Sequence, residues 1–373
     1  MSAANWRNAM NSGAGRAVMM NRGMNRGQAA VALPLPGVGG NRGLSLISAI
    51  RARHVVVLAF LLAYPWFATP FFTFQIGAQS LALGLIALSL TFLGGYGGMV
   101  SLAQITVAGI AGYGVAIFGA ASAADASISL GWPWWVAVLI SIVIATVGAA
   151  FIGWLSVRTE GIYTIMITLA VGVAFYYLCR QNYSVFNGFQ GFQRVHAPTV
   201  LGVSMRDPLP FYYLVLFWSL AGYFFVKYLL RAPFGIALQG IRDNPRRMNA
   251  LGFNVTAHRI AAYAVAGVMA AVGGVLLVWY NGLIGPGSVG TSWIINILII
   301  AVLGGMRHPI GAFLGAIVFV LLQTFAIDMF DRERFNLVIG MVFLIIVLFS
   351  PDGLLGWWAG LKSRFLTPRG GVR

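Results

Sequence analysis

Of the 373 residues, 59% are hydrophobic and 9% are charged, against roughly 25% charged in an ordinary soluble domain. A soluble chain of this length needs a charged shell that this one cannot supply, so lipid is the solvent for most of its side chains. The net charge of +16 comes from short clusters between apolar runs, which argues against a nucleic-acid surface and for loops sorted by membrane orientation.

Residues 1–50 hold no acidic residue and no long apolar stretch, and are rich in Asn, Gly, Ala and Arg. They read as a disordered basic tail. From Val55 onward, apolar blocks recur at about 55–75, 77–95, 101–120, 133–156, 162–180, 209–230, 260–281, 291–305, 310–328 and 335–350. This pattern predicts an all-α, polytopic integral membrane protein of about ten transmembrane helices, or eight or nine if the shorter blocks are re-entrant. With the N-terminus inside, 19 of the 24 Lys and Arg residues fall on the cytoplasmic side. An N-in, C-in topology follows, with residues 356–373 as a basic cytoplasmic tail.

Two connections are too long to be turns. On the outside, Gln181–Pro208 contains the run Phe186-Asn187-Gly188-Phe189-Gln190-Gly191-Phe192. On the inside, 231–259 reads as a helical hairpin. Pro233 suits a first helical turn, where its missing N–H costs little. Ile236, Leu238 and Ile241 form an apolar stripe, and Arg242, Arg246 and Arg247 supply polar contacts. Asp243-Asn244-Pro245 signals a second helix start, and Gly252 its end. A fainter internal echo pairs Leu93-Gly94-Gly95 with Leu303-Gly304-Gly305.

The chemistry of an enzyme is missing. There is no G-x-x-x-x-G-K-[ST], H-E-x-x-H or G-x-S-x-G, the four histidines stand singly, and Cys179 has no second cysteine. No catalytic set, metal site or bound cofactor is expected. The spans also lack mid-membrane carboxylates, which disfavours a carrier coupled to protons or sodium. Neutral polar residues do occur there, including Ser101, Gln104, Thr106, Tyr113, Thr164 and Thr168. Helix-to-helix hydrogen bonds, worth ~0.6 kcal/mol each, would explain them, and so would a polar solute path. The spacing of Ser101 with Gln104 and of Thr164 with Thr168 puts each pair on one helix face. On these residues alone, an autonomous channel or facilitator stays open.

Longer runs carry a resemblance. Gly94-Gly95-Tyr96-Gly97-Gly98-Met99-Val100-Ser101-Leu102-Ala103-Gln104, Arg158-Thr159-Glu160-Gly161-Ile162-Tyr163 and Ser350-Pro351-Asp352-Gly353-Leu354 are similar to the LivM-type permeases of branched-chain amino acid ABC transporters. The most specific stretch is Arg231-Ala232-Pro233-Phe234-Gly235 through Ile241-Arg242-Asp243-Asn244 to Ala250-Leu251-Gly252. The resemblance implies a permease domain over 51–355 in a bacterial inner membrane. It implies a sister permease as heterodimer partner, two cytoplasmic ATPase subunits that use the ATP, and a periplasmic solute-binding protein. Arg231, Pro233, Gly235, Ile241, Arg242, Asp243, Asn244, Ala250 and Gly252 would then form the ATPase-coupling segment. Ser101, Gln104, Tyr113, Thr164 and Thr168 would line the path, and Asn187, Gly188 and Gly191 would meet the delivered solute outside. The family pattern departs at Ala103 and at Phe186-Asn187-Gly188, which leaves urea and amides beside branched-chain amino acids as solutes.

Overall fold

The computed structural model describes residues 59–119, 129–159, 161–200 and 202–329, and further along residues 340, 341, 344, 348 and 353–356. The expected tail 1–50, nearly all of the tail 356–373 and most of the expected span 335–350 lie outside the described residues. The chain divides into units Met1–Phe60 and Leu61–Arg373, and the helices and strands from Phe72 onward belong to the second.

Ten helices organise the described residues: α1 (Phe72–Tyr96), α2 (Gln104–Phe118), α3 (Trp134–Ser156), α4 (Ile162–Gln181), α5 (Pro208–Leu229), α6 (Pro233–Asp243), α7 (Pro245–Ala250), α8 (Val255–Asn281), α9 (Thr291–Gly304) and α10 (Pro309–Met329). Further α-helical pieces among the described residues lie at 59–67, Tyr183–Phe186 and 353–356. Among the described residues, strands are confined to two antiparallel two-residue pairs. These are β1 (Phe192–Gln193) with β4 (Leu283–Ile284), and β2 (Thr199–Val200) with β3 (Val203–Ser204).

α1 lies at the centre. Its middle, Gln79–Thr91, is apolar on every face, carries no charge and is buried at every position. The break expected near residue 76 is absent: the helix continues through it in a π-helical stretch, Phe72–Ala78, which widens the ladder without interrupting it. The chain breaks instead at 68–69, just before Pro70, whose ring removes an N–H and disfavours helix in the residue before it.

α8 and α10 pack against α1, and α8 also packs on α2 and α3. Small residues make these approaches close: a Cβ on Gly274 of α8 would overlap the Ala108 carbonyl oxygen of α2. α5 is strapped to the same core by Ser219 Oγ, which donates to the Leu81 carbonyl at 3.1 Å.

The outer surface settles the solvent. α3, α4 and α5 expose Leu139, Val143, Val147, Phe151, Met166, Phe217 and Phe224, faces that lipid accepts and water does not. Five helices among the described residues (α1, α3, α4, α5 and α8) are long and apolar enough to cross a membrane. A sixth span is counted if α9 and α10 are taken together, although they bend by 118° at their break. The chain is therefore a mostly helical, multi-pass membrane protein. α2, with 15 residues, is only about 22 Å long and does not cross a ~30 Å hydrocarbon core on its own.

Candidate functional site

The 27 residues of α8 span about 40 Å and separate two functional ends. One carries the hairpin. Pro233 stands at the first position of α6, and Asn244 caps α7 by accepting the Arg247 N–H at 3.0 Å. Gly252 follows with φ +89°, a left-handed conformation that side chains rarely adopt. Leu238 and Ile241 are fully buried, while Ile236, Leu251 and Phe253 stay exposed. The apolar stripe of α6 is thus only partly used inside the chain. Arg231, Asp243 and Ala250 are exposed. Gly235 is packed so tightly on the α5–α6 turn that a Cβ would overlap the Leu229 carbonyl oxygen.

Arg242 connects this hairpin to the core. Its Nη1 donates to the Gly95 carbonyl at 2.7 Å and its Nε to Asp243 Oδ1 at 2.9 Å. Its methylene chain lies over Gly98, whose φ of +68° and lack of a Cβ make room for it. The segment it grips is the glycine run at the end of α1. That run also touches the residues that directly follow the second member of the sequence echo. Tyr96 Oη donates to the Arg307 carbonyl at 2.8 Å, and Met306 covers Gly94 and Gly95. The α6 hairpin, the end of α1 and the α9–α10 break therefore form one continuous junction. Sequence reasoning missed it, although the repeated Leu-Gly-Gly was its trace.

Four of the residues expected in the path come together near the start of α2. Gln104 Oε1 accepts from Ser89 Oγ at 3.0 Å, and Thr168 Oγ1 accepts from the Leu102 N–H at 3.1 Å. Thr164 and Thr168 share one face of α4, and Thr168 Oγ1 also donates to the Thr164 carbonyl at 3.0 Å. Ser101 is not on a helix face with Gln104, as its spacing had suggested. α2 begins only at Gln104, and the Ser101 hydroxyl instead accepts from the Ala103 N–H at 3.4 Å. Thr164 also borders a cavity of about 210 Å³ with Ser156, Thr159, Arg242 and Arg259. Tyr113 stands apart, nearer the other end of α2, in a cluster with Phe175, Phe186 and Phe192.

At the far end, Asn187 adopts φ +55° and its Nδ2 donates to the Gly191 carbonyl at 2.6 Å. Gly188 lies against the Tyr183 ring, and Gly191 against the backbone of Ile284 and Gly285. These three residues fix the loop that pairs β1 with β4. Beside it opens a cavity of about 320 Å³ lined by Phe74, His196, Arg206, Trp279, Tyr280 and Asn281, with Pro208 and Gly282 completing its wall. Partial burial, then Arg206 and Arg194, hold the His196 imidazole below its usual pKa. Below the cavity, Tyr280 Oη donates to Gln75 Oε1 at 2.8 Å and lies 3.3 Å from Gln79 Oε1. None of these residues was singled out from the sequence, because aromatic and amide residues at span ends look like ordinary interface anchors.

A model of the family "branched-chain amino acid transport system / permease component" matches residues 72–347. The chain belongs to this permease family. Its relatives include the high-affinity branched-chain amino acid transport system permease protein LivM of Escherichia coli (strain K12), 23% identical over 83% of this chain and 76% of the relative. The probable LivM of Methanocaldococcus jannaschii is 25% identical over 58% of this chain and 66% of its own. A shorter match, 33% identical over 26% of this chain and 31% of the relative, is to the nucleoside ABC transporter permease protein NupC of Lactococcus lactis subsp. cremoris. No solved structure is a significant match.

The matched range of this permease contains both glycine breaks, the hairpin and the far-end loop. Among the described residues, no three of His, Cys, Asp and Glu gather as a metal would require.

Proposed function

We propose that the chain is the inner-membrane permease subunit of an ABC importer for branched-chain or related amino acids. In this reading it forms the solute path with a sister permease as a heterodimer, two cytoplasmic ATPases supply the ATP chemistry, and a periplasmic binding protein delivers the solute. The N- and C-termini are cytoplasmic and about ten helices cross the membrane. Segment 231–259 within the permease domain 51–355 docks on the ATPase, and Arg231, Pro233, Gly235, Ile241, Arg242, Asp243, Asn244, Ala250 and Gly252 carry the coupling. Ser101, Gln104, Tyr113, Thr164 and Thr168 border the path, and Asn187, Gly188 and Gly191 shape its outer approach.

The observation that carries this reading is the Arg242–Gly95 hydrogen bond at 2.7 Å. It supplies a direct mechanical route from an exposed amphipathic hairpin to the buried α1 and, through Tyr96 and Arg307, to α9–α10. A force applied at the hairpin moves the glycine junction, and the junction sets the spacing of the helices around α1. The similarity to NupC keeps a nucleoside as the second candidate solute, on a much shorter match.

The test is co-expression of the chain with the ATPases encoded beside it, followed by capture on a tag carried by this chain. A stable complex whose ATP hydrolysis drives uptake in proteoliposomes is expected. Uptake by the chain alone, without ATP or partners, would instead establish a facilitator.

A further inference from the structure

We infer that the 320 Å³ cavity at the far end is a receiving site that selects solutes bearing a carboxylate, and that Arg206 is its selecting residue. The inference rests on the importer reading and narrows it, because it separates amino acids from urea, amides and nucleosides.

Charge and shape point the same way. The ionisable side chains with fixed or available positive charge in the lining are Arg206 and His196, and no carboxylate is among its lining residues. His196 Nε2 lies 3.4 Å from Arg206 Nη1. Arginine can only donate, so this imidazole nitrogen accepts, and the neutral His196 favoured by its surroundings holds the guanidinium in place. The guanidinium keeps further N–H groups for a carboxylate, which it can bind bidentately. A neutral amide or a nucleoside offers no anion for that charge to pair with.

Three of the other lining residues, Phe74, Trp279 and Tyr280, are aromatic, and two of these are fixed in place. Phe74 stacks on Tyr280 with ring centroids 4.8 Å apart, and the Tyr280 hydroxyl is tied down to Gln75. With Trp279 and Pro208 this pair forms a surface for an aliphatic side chain next to a carboxylate-binding rim. A preorganised wall of this kind costs little to occupy.

The experiment uses the full chain in lipid nanodiscs, with saturation-transfer NMR titration of the L-leucine methyl protons and empty nanodiscs as blank. L-leucine is expected to bind. L-leucinamide, urea and uridine at equal concentration are expected not to displace it. Arg206→Gln should weaken leucine binding at least about tenfold, the scale of one hydrogen bond to a charged group, whereas Arg206→Lys should retain the preference for a carboxylate. Leucinamide binding as well as leucine, unchanged binding in Arg206→Gln, or no leucine signal on the unaltered chain would each overturn the inference. With no binding protein in the assay, a signal belongs to the solute and not to an acidic side chain of a docking partner. ATPase capture and ATP-driven uptake read the importer assignment separately, so the two failures are distinguishable.

Discussion

Arg242→Ala removes both a charged hydrogen bond to the Gly95 carbonyl and the methylene packing over Gly98. A bond to a charged group is worth about 1.5–3 kcal/mol when shielded, and less here, because the Arg242 side chain is 39% exposed. Folding should therefore survive. The expected outcome is a complex that still captures ATPases but takes up solute at least several-fold more slowly per ATP hydrolysed. Normal coupling in Arg242→Ala would remove the junction from the mechanism. Gly98→Val attacks the same contact from the other side. It forces a β-branched residue to φ +68° and places its Cβ 2.6 Å from Arg242 Cγ, so it should lower thermal stability as well as coupling. The sequence showed Arg242 only as part of a polar hairpin face. Its acceptor lies 147 residues earlier, and no local pattern reports a contact at that separation.

Between elements, the α9–α10 break is held by backbone meeting backbone. A Cβ on Gly304 would overlap the Gly311 carbonyl oxygen, and one on Gly315 the Ile300 carbonyl oxygen. Gly315→Leu should prevent the two helices from closing, and size-exclusion chromatography of the detergent-solubilised variant should show aggregated rather than monodisperse protein. Gly340→Leu, at a position where a Cβ meets nothing among the described residues, is the matched control. Both helices were legible from their apolar runs. Their packing was not, since in a chain with 47 glycines no single one stands out. The start of α2 was misread by three residues for a related reason. Ala103 gives it no side-chain cap, and the run from Ser101 is apolar enough to pass for helix. The helices of the hairpin were legible, because Pro233, Asn244-Pro245 and Gly252 each act on backbone within a few residues of themselves rather than through distant neighbours.

For the whole molecule, orientation is the quantity that charge distribution predicts. In a Cys179→Ala background, Asn249→Cys on exposed α7 should react with a membrane-impermeant maleimide only from the cytoplasmic side. Gln193→Cys on the far-end loop should react only from the opposite side. The reverse pattern would overturn the N-in, C-in topology. Membrane character was plain from composition alone, since 9% charged residues cannot cover a soluble surface of this size. The number of crossings was not, because an apolar run has the same composition whether it forms a full-length helix, a short one such as α2, or a bent pair such as α9–α10.

The complete burial of the middle of α1 also sets a timetable for biosynthesis. About 230 residues separate Tyr96 from Met329, the end of the last helix packed against it. At 5–20 residues per second, roughly 10–50 s pass between the emergence of α1 and that of α10. During that interval the face of α1 that α10 will cover is turned to lipid, and only afterwards to protein. It must be tolerated by two successive solvents, which an amphipathic helix would not be, and this is the reason its apolar character extends around the whole circumference. A charge placed anywhere on Gln79–Thr91 would be rejected at the first stage, before any neighbour could compensate it.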